Sequence, residues 1–219
     1  GFYGSGLSDA TSRRAFQVKQ KTYQASVAAA EALERSATWS YEKNKKWADE
    51  AKLRVDQLEK NLKAYTDYLE EKPSTIAPAQ FLRNRLEAEF ALLTAQNQKI
   101  AEDIAAIETN NPIDTTVDTQ PEVDRLILLW QKKANEDRIK ELQGYIALLP
   151  TFDITFLKYG YPALLRIGIE EARMEQDLAE ADRDAYLALQ LSTQQLLARR
   201  QAALAALGTP AAPAARARP

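Results

Sequence analysis

The chain has 219 residues, with no His, no Cys and one Met, so it lacks the side chains that most often move protons near neutral pH or hold soft metals, and a disulfide framework is excluded. Its 29 Lys and Arg stand against 31 Asp and Glu, a net charge of −2 with both signs interleaved, which leaves no basic stripe of the kind nucleic acid requires. Seven Gly in a composition 45% hydrophobic and 27% charged favour helix over a turn-rich β protein.

The opening run Gly1-Phe2-Tyr3-Gly4-Ser5-Gly6 reads as a flexible segment over residues 1–7, and a chain that starts on Gly fits a processed form. A first helix is expected over residues 8–71, capped by Ser8 or Asp9 and stopped by Pro73. Within it Ala37, Tyr41, Asn44, Ala48, Ala51, Val55, Leu58, Leu62, Tyr65 and Leu69 recur at alternating steps of four and three, a heptad-like seam. Sixty-odd residues at 1.5 Å each reach on the order of 90 Å, longer than a compact domain.

The prolines of Lys72-Pro73-Ser74-Thr75-Ile76-Ala77-Pro78 break that helix. A second helix over residues 79–108 carries the seam Leu86, Phe90, Leu93, Asn97, Ile100, Ile104 and Ile107, expected to face the first in an antiparallel hairpin. Asn44 and Asn97 on the seams act as register markers or as tolerated boundary residues. After the polar loop from Asn110 to Gln120, Pro121 opens a third helix over residues 121–149. Its apolar stripe is Val123, Leu126, Ile127, Trp130, Ala134, Ile139, Leu142, Tyr145 and Ile146, and Pro150 ends it.

Thr151 to Pro162 is the most aromatic stretch. It reads as a turn, a short helix capped by Asp153 or Thr155, and a second break. A last helix, residues 163–207, ends at Gly208, and the Pro/Ala/Arg tail 208–219 is too poor in apolar bulk to build a core. The fold class is therefore all-α: an elongated long-helix hairpin or coiled-coil bundle over residues 8–207 with a short aromatic helix-turn junction. The N-terminal half of the first helix needs a partner, supplied either by the last helix or by another protein.

No catalytic template is completed. A Ser or Thr nucleophile would need Lys or a carboxylate as base, and no such pairing stands out; the Glu-x-x-His ligand set of helical metal sites cannot occur without His. Glu170, Glu171, Glu175, Asp177 and the acids from Glu180 to Asp184 read as a solvated face, and Gly4-Ser5-Gly6 has no preceding strand to make it a phosphate loop. The expectation is a non-enzyme with no cofactor and no metal. No apolar run of about eighteen residues is present, so no membrane span is expected. The same acids would be repelled by anionic lipid. The candidate partner-binding residues are the large aromatics at helix breaks and off the seams: Trp39, Trp47, Phe152, Phe156, Tyr159 and Tyr161.

Two segments carry a family resemblance. Tyr68-Leu69-Glu70-Glu71-Lys72-Pro73-Ser74-Thr75-Ile76-Ala77-Pro78-Ala79-Gln80-Phe81 is a long helix's end, a proline break and an aromatic-bearing helix start. Leu148-Leu149-Pro150-Thr151-Phe152-Asp153-Ile154-Thr155-Phe156, with Tyr161-Pro162 beyond, is an apolar-Pro-Phe-Asp-like turn with Thr that closes in aromatic-Pro. Together they resemble subunit d of the mitochondrial ATP synthase peripheral stalk, over about half the chain. The chain departs from that family at Ala77-Pro78, where an acidic-aromatic pair often follows the break, and in its Ala-rich last helix and tail. The resemblance implies a matrix-side structural subunit at the mitochondrial inner membrane. It would clamp stalk helices, including subunit b, against rotary torque, with ATP chemistry and proton transport left to other subunits. The alternative reading is a self-associating coiled-coil adaptor of the bacterial envelope or cytoskeleton, placed in periplasm or cytoplasm.

Overall fold

A computed structural model describes residues 2–71, 75–112 and 119–208, with backbone alone for residues 2–8. Among them there is no strand. Four long helices, α1 (Phe2–Glu70), α2 (Pro78–Asn110), α3 (Gln120–Leu148) and α4 (Tyr161–Ala206), account for almost everything, so the all-α bundle is what the chain forms.

The helix ends follow local chemistry. Pro78 opens α2, where its missing N–H costs nothing because the first turn has no intrahelical acceptor for it. At the start of α3 the Thr119 hydroxyl accepts from the Glu122 N–H, and Pro121 sits in the first turn. Beyond α4, Gly208 adopts a positive φ of 67°, the left-handed turn that only glycine enters without a Cβ clash. The start of α1 differs from expectation. The helix begins at Phe2, ahead of the expected start at residue 8, and Asp9 lies within it. Once a helix has nucleated, each added residue contributes a hydrogen bond, and Gly4 and Gly6 weaken propagation without blocking it as proline would. The expected stop at Pro73, most of the loop preceding Thr119 and the tail beyond Gly208 lie outside the described residues.

The chain divides into two compact units, residues 1–40 with 185–219, and residues 41–184. In the first, the start of α1 and the end of α4 run antiparallel: Arg200 Nη1 donates to the Ser26 carbonyl at 3.0 Å, and Gln190 Nε2 to Thr38 Oγ1 at 3.2 Å. Ala30 and Ala37 on α1 and Thr193 on α4 are its buried residues, and these small side chains let the two backbones approach closely. The chain's own last helix thus pairs with the stretch of α1 around Ser26–Thr38.

The second unit is a four-helix arrangement in up-down-up-down order. Antiparallel α2 and α3 are joined by Arg125 to Glu108, by Asn97 Nδ2 to the Lys132 carbonyl and by Arg138 to Glu89. Parallel α1 and α3 meet through Glu50 with Gln131 and through Trp47 with Trp130. On α1, α2 and α3 every seam or stripe residue expected from spacing is buried or half-buried. Asn97 is a seam residue that ties one helix to the next helix's backbone, a bond specific to one register. The core gathers at one end of this unit, around Tyr65, Leu82, Leu86, Leu142, Leu149, Leu157 and Tyr161.

Candidate functional site

The aromatic junction lies against that core, and its backbone explains its shape. After α3, a 3-10 turn (Leu149–Thr151) carries Pro150, and the Asp153 carboxylate accepts from the Phe156 N–H at 2.7 Å, capping the helix that restarts at Ile154. The expected second break at Tyr161-Pro162 does not occur. Phe156–Gly160 instead forms a π turn that runs straight into α4, so the last helix starts at Tyr161, not at residue 163. In this wider turn the Tyr161 N–H bonds the Phe156 carbonyl. The next carbonyl in the i→i+5 register is that of Leu157, whose donor would be Pro162, and proline has no N–H. Its i→i+4 donor, Tyr161, is already used. The Tyr65 hydroxyl of α1 donates to this orphan Leu157 carbonyl, and both residues are buried. A helix thus passes through a proline because a side chain from another helix supplies the missing donor.

Aromatic packing surrounds this bond. The Tyr65 ring meets Tyr161 edge-on at 5.2 Å between centroids, Tyr161 meets Tyr145 at 5.7 Å, and Tyr68 stacks on Phe81 at 3.9 Å. The Tyr68 hydroxyl donates to the Ile76 carbonyl and pins the segment leading into α2. Burial pushes the Tyr65 hydroxyl pKa up to about 12 and raises those of Tyr161 and Tyr145 as well, favouring the neutral phenol at each. Beside them, Arg138 holds Glu89 in a two-bonded ion pair, both bonds 2.9 Å, and also reaches Glu141.

The six sequence candidates separate. Tyr161 is 3% exposed and belongs to the core, packed against Tyr65 and Tyr145. Phe152 and Phe156 lie 4.5 Å apart and pack half-buried against the same core. The Phe156 ring also covers Gly160, where a Cβ would overlap it. Tyr159, by contrast, is 72% exposed. Trp47 stands partly open and makes a T-shaped contact with Trp130 at 5.3 Å, and Trp39 is half-buried in the other unit. The structure therefore brings Phe152, Phe156, Tyr159 and Tyr161 to one place and leaves the two tryptophans elsewhere on α1.

Tyr159 rims a shallow cavity of about 320 Å³ lined by Thr66, Leu69 and Glu70 of α1 and by Lys158, Pro162 and Arg166. Its polar lining is thus two cations, one carboxylate and two hydroxyls. Among the described residues no cluster of three metal-ligating side chains exists, and no helix is long and apolar enough to cross a membrane.

Spacing alone did not single out Tyr65, which reads as one more seam residue, nor the Arg138–Glu89 pair. The signal that could have found Tyr65 is Pro162: a proline inside a helix demands a substitute donor. Comparison of the chain with protein-family models, with curated proteins and with solved structures yields no match.

Proposed function

We propose that this chain is a non-catalytic structural subunit that holds helices together in a larger assembly, and specifically that it serves in the peripheral stalk of mitochondrial ATP synthase on the matrix side of the inner membrane. The observation that carries this reading is the meeting of the two segments on which the resemblance rests. Tyr68 and Phe81 from the first, and Phe152 and Phe156 from the second, frame one core through Tyr65 and Tyr161. A stator resists torque, and such a junction suits that role, since it ties the end of α1 to the starts of α2 and α4 by packing and by a buried hydrogen bond. Subunit b and other stalk helices are the expected partners.

The test is affinity purification of the tagged chain from its native source in mild detergent, followed by mass spectrometry. Stoichiometric recovery of synthase subunits is the expected outcome. Recovery of the bait alone, as a dimer or larger homo-oligomer, would overturn it in favour of a self-associating coiled-coil adaptor of a bacterial envelope or cytoskeleton.

A further inference from the structure

Helix α4 carries a second apolar stripe that nothing in the described residues covers. Its buried face is Tyr161, Leu165, Ile169, Ala172 and Ala179. On roughly the opposite face, Leu164, Ile167, Met174 and Leu178 recur at steps of three, seven and four and are 40%, 53%, 65% and 67% exposed. Isolated exposed apolar residues are ordinary, but four large ones in a heptad-like line on one helix form a seam.

The charges beside this seam select its occupant. At 100° per residue, Glu170 and Asp177 fall along one edge, and Glu171, Glu175 and Asp182 along the other. Glu170, Glu171, Asp177 and Asp182 form no ion pair among the described residues, and nearby Arg173 is already engaged by Glu59 of α1. Arg54 approaches Glu175 only at 3.9 Å. Arg166 lies beside the Glu170–Asp177 edge, but acids outnumber it there, so both edges are net acidic. A second copy of this face would set acid against acid, and an anionic bilayer would be repelled in the same way.

We propose that the Leu164–Leu178 face of α4 docks an amphipathic helix of another protein whose apolar seam is flanked on both sides by Lys or Arg. The proposal rests on the helix-holding part of the reading above, not on which assembly the chain serves. Apolar burial supplies the attraction, and the paired edge charges set orientation and exclude acidic helices.

The probe is a fluorescein-labelled helical peptide of three heptads with Leu at a and d and Lys at e and g, titrated against the full chain by fluorescence anisotropy. A matching peptide with Glu at e and g is the control. The Lys peptide should bind, bind more weakly at 500 mM than at 50 mM salt, and lose at least about tenfold affinity to Leu178→Glu, which puts a carboxylate into the seam. Leu53→Glu, on an exposed position of α1, should leave binding intact. The proposal falls if the Lys peptide does not bind, if the Glu peptide binds equally, or if Leu53→Glu weakens binding as much as Leu178→Glu. It falls also if sedimentation shows a dimer, or flotation shows binding to anionic vesicles, that Leu178→Glu abolishes. Should the native-source purification recover synthase subunits equally with wild type and Leu178→Glu, the stalk reading stands and this face is not its contact. A failed purification with intact, Leu178-dependent peptide binding has the reverse meaning.

Discussion

Replacing Tyr65 by Phe removes one oxygen and keeps the ring. The Leu157 carbonyl then loses its donor in a place that water does not reach, since Leu157 and Tyr65 are both buried. An orphaned buried acceptor costs about 1–3 kcal/mol, far more than the slight gain from a more apolar ring. The cause can be isolated because the carbonyl is orphaned only by Pro162. Pro162→Ala restores an N–H that can serve Leu157 across the π turn, so Tyr65→Phe should cost about 0.5 kcal/mol or less in that background, leaving a coupling energy of about 1 kcal/mol or more. Urea denaturation followed by circular dichroism at 222 nm on all four chains gives the cycle, provided the m-values agree. Equal costs of Tyr65→Phe in both backgrounds would refute the idea that the phenol stands in for the proline's missing donor. So would a cost below about 0.5 kcal/mol in the wild-type background, which would mean that the buried carbonyl needs no partner.

The same hydroxyl predicts a pH dependence. Its folded pKa is raised to about 12 from an ordinary 10.0, so the folded state holds the proton more tightly. That contribution is fully present below pH 10 and is lost as pH rises toward 12; Tyr65→Phe should flatten this part of a stability–pH curve, and an unchanged slope would contradict the burial argument. Truncating one partner of the Arg138–Glu89 pair, as in Glu89→Ala, should cost about 2–3 kcal/mol by leaving a mostly buried guanidinium with only Glu141, while Glu89→Leu with Arg138→Met should be near neutral in thermal melts. Gly160→Ala should destabilise by about 1–3 kcal/mol because the Phe156 ring occupies the space a Cβ needs. Gly144→Ala and Gly168→Ala, in open positions within α3 and α4, should stabilise by about 0.5–1 kcal/mol in the same denaturation assay, so equal behaviour of the three glycines would argue against the ring contact.

Taken by itself, the sequence determined the class of fold and most of the inward faces. The seams on α1, α2 and α3 are legible because a helix repeats every 3.6 residues, so one apolar line at three-and-four spacing must face a neighbour whatever that neighbour is. Turn chemistry was equally local: Thr119, Pro121, Asp153 and Gly208 act within a few residues of themselves. Which helix meets which was decided only in three dimensions. The stretch of α1 around Ser26–Thr38 could have awaited another protein, and the end of α4 meets it there through polar groups that reach Ser26 and Thr38 across more than 150 residues. The helix through Tyr161-Pro162 was misread as a break for the same reason. Proline's missing donor is a local fact, whereas the phenol that compensates for it lies on another helix, 92 residues from the carbonyl it serves, and no window of the sequence contains both. Tyr161 and Tyr159 look alike as neighbouring tyrosines at an aromatic-Pro junction, and because the helix runs unbroken through both, their spacing of two residues places them on opposite faces, the first in the core and the second at the surface.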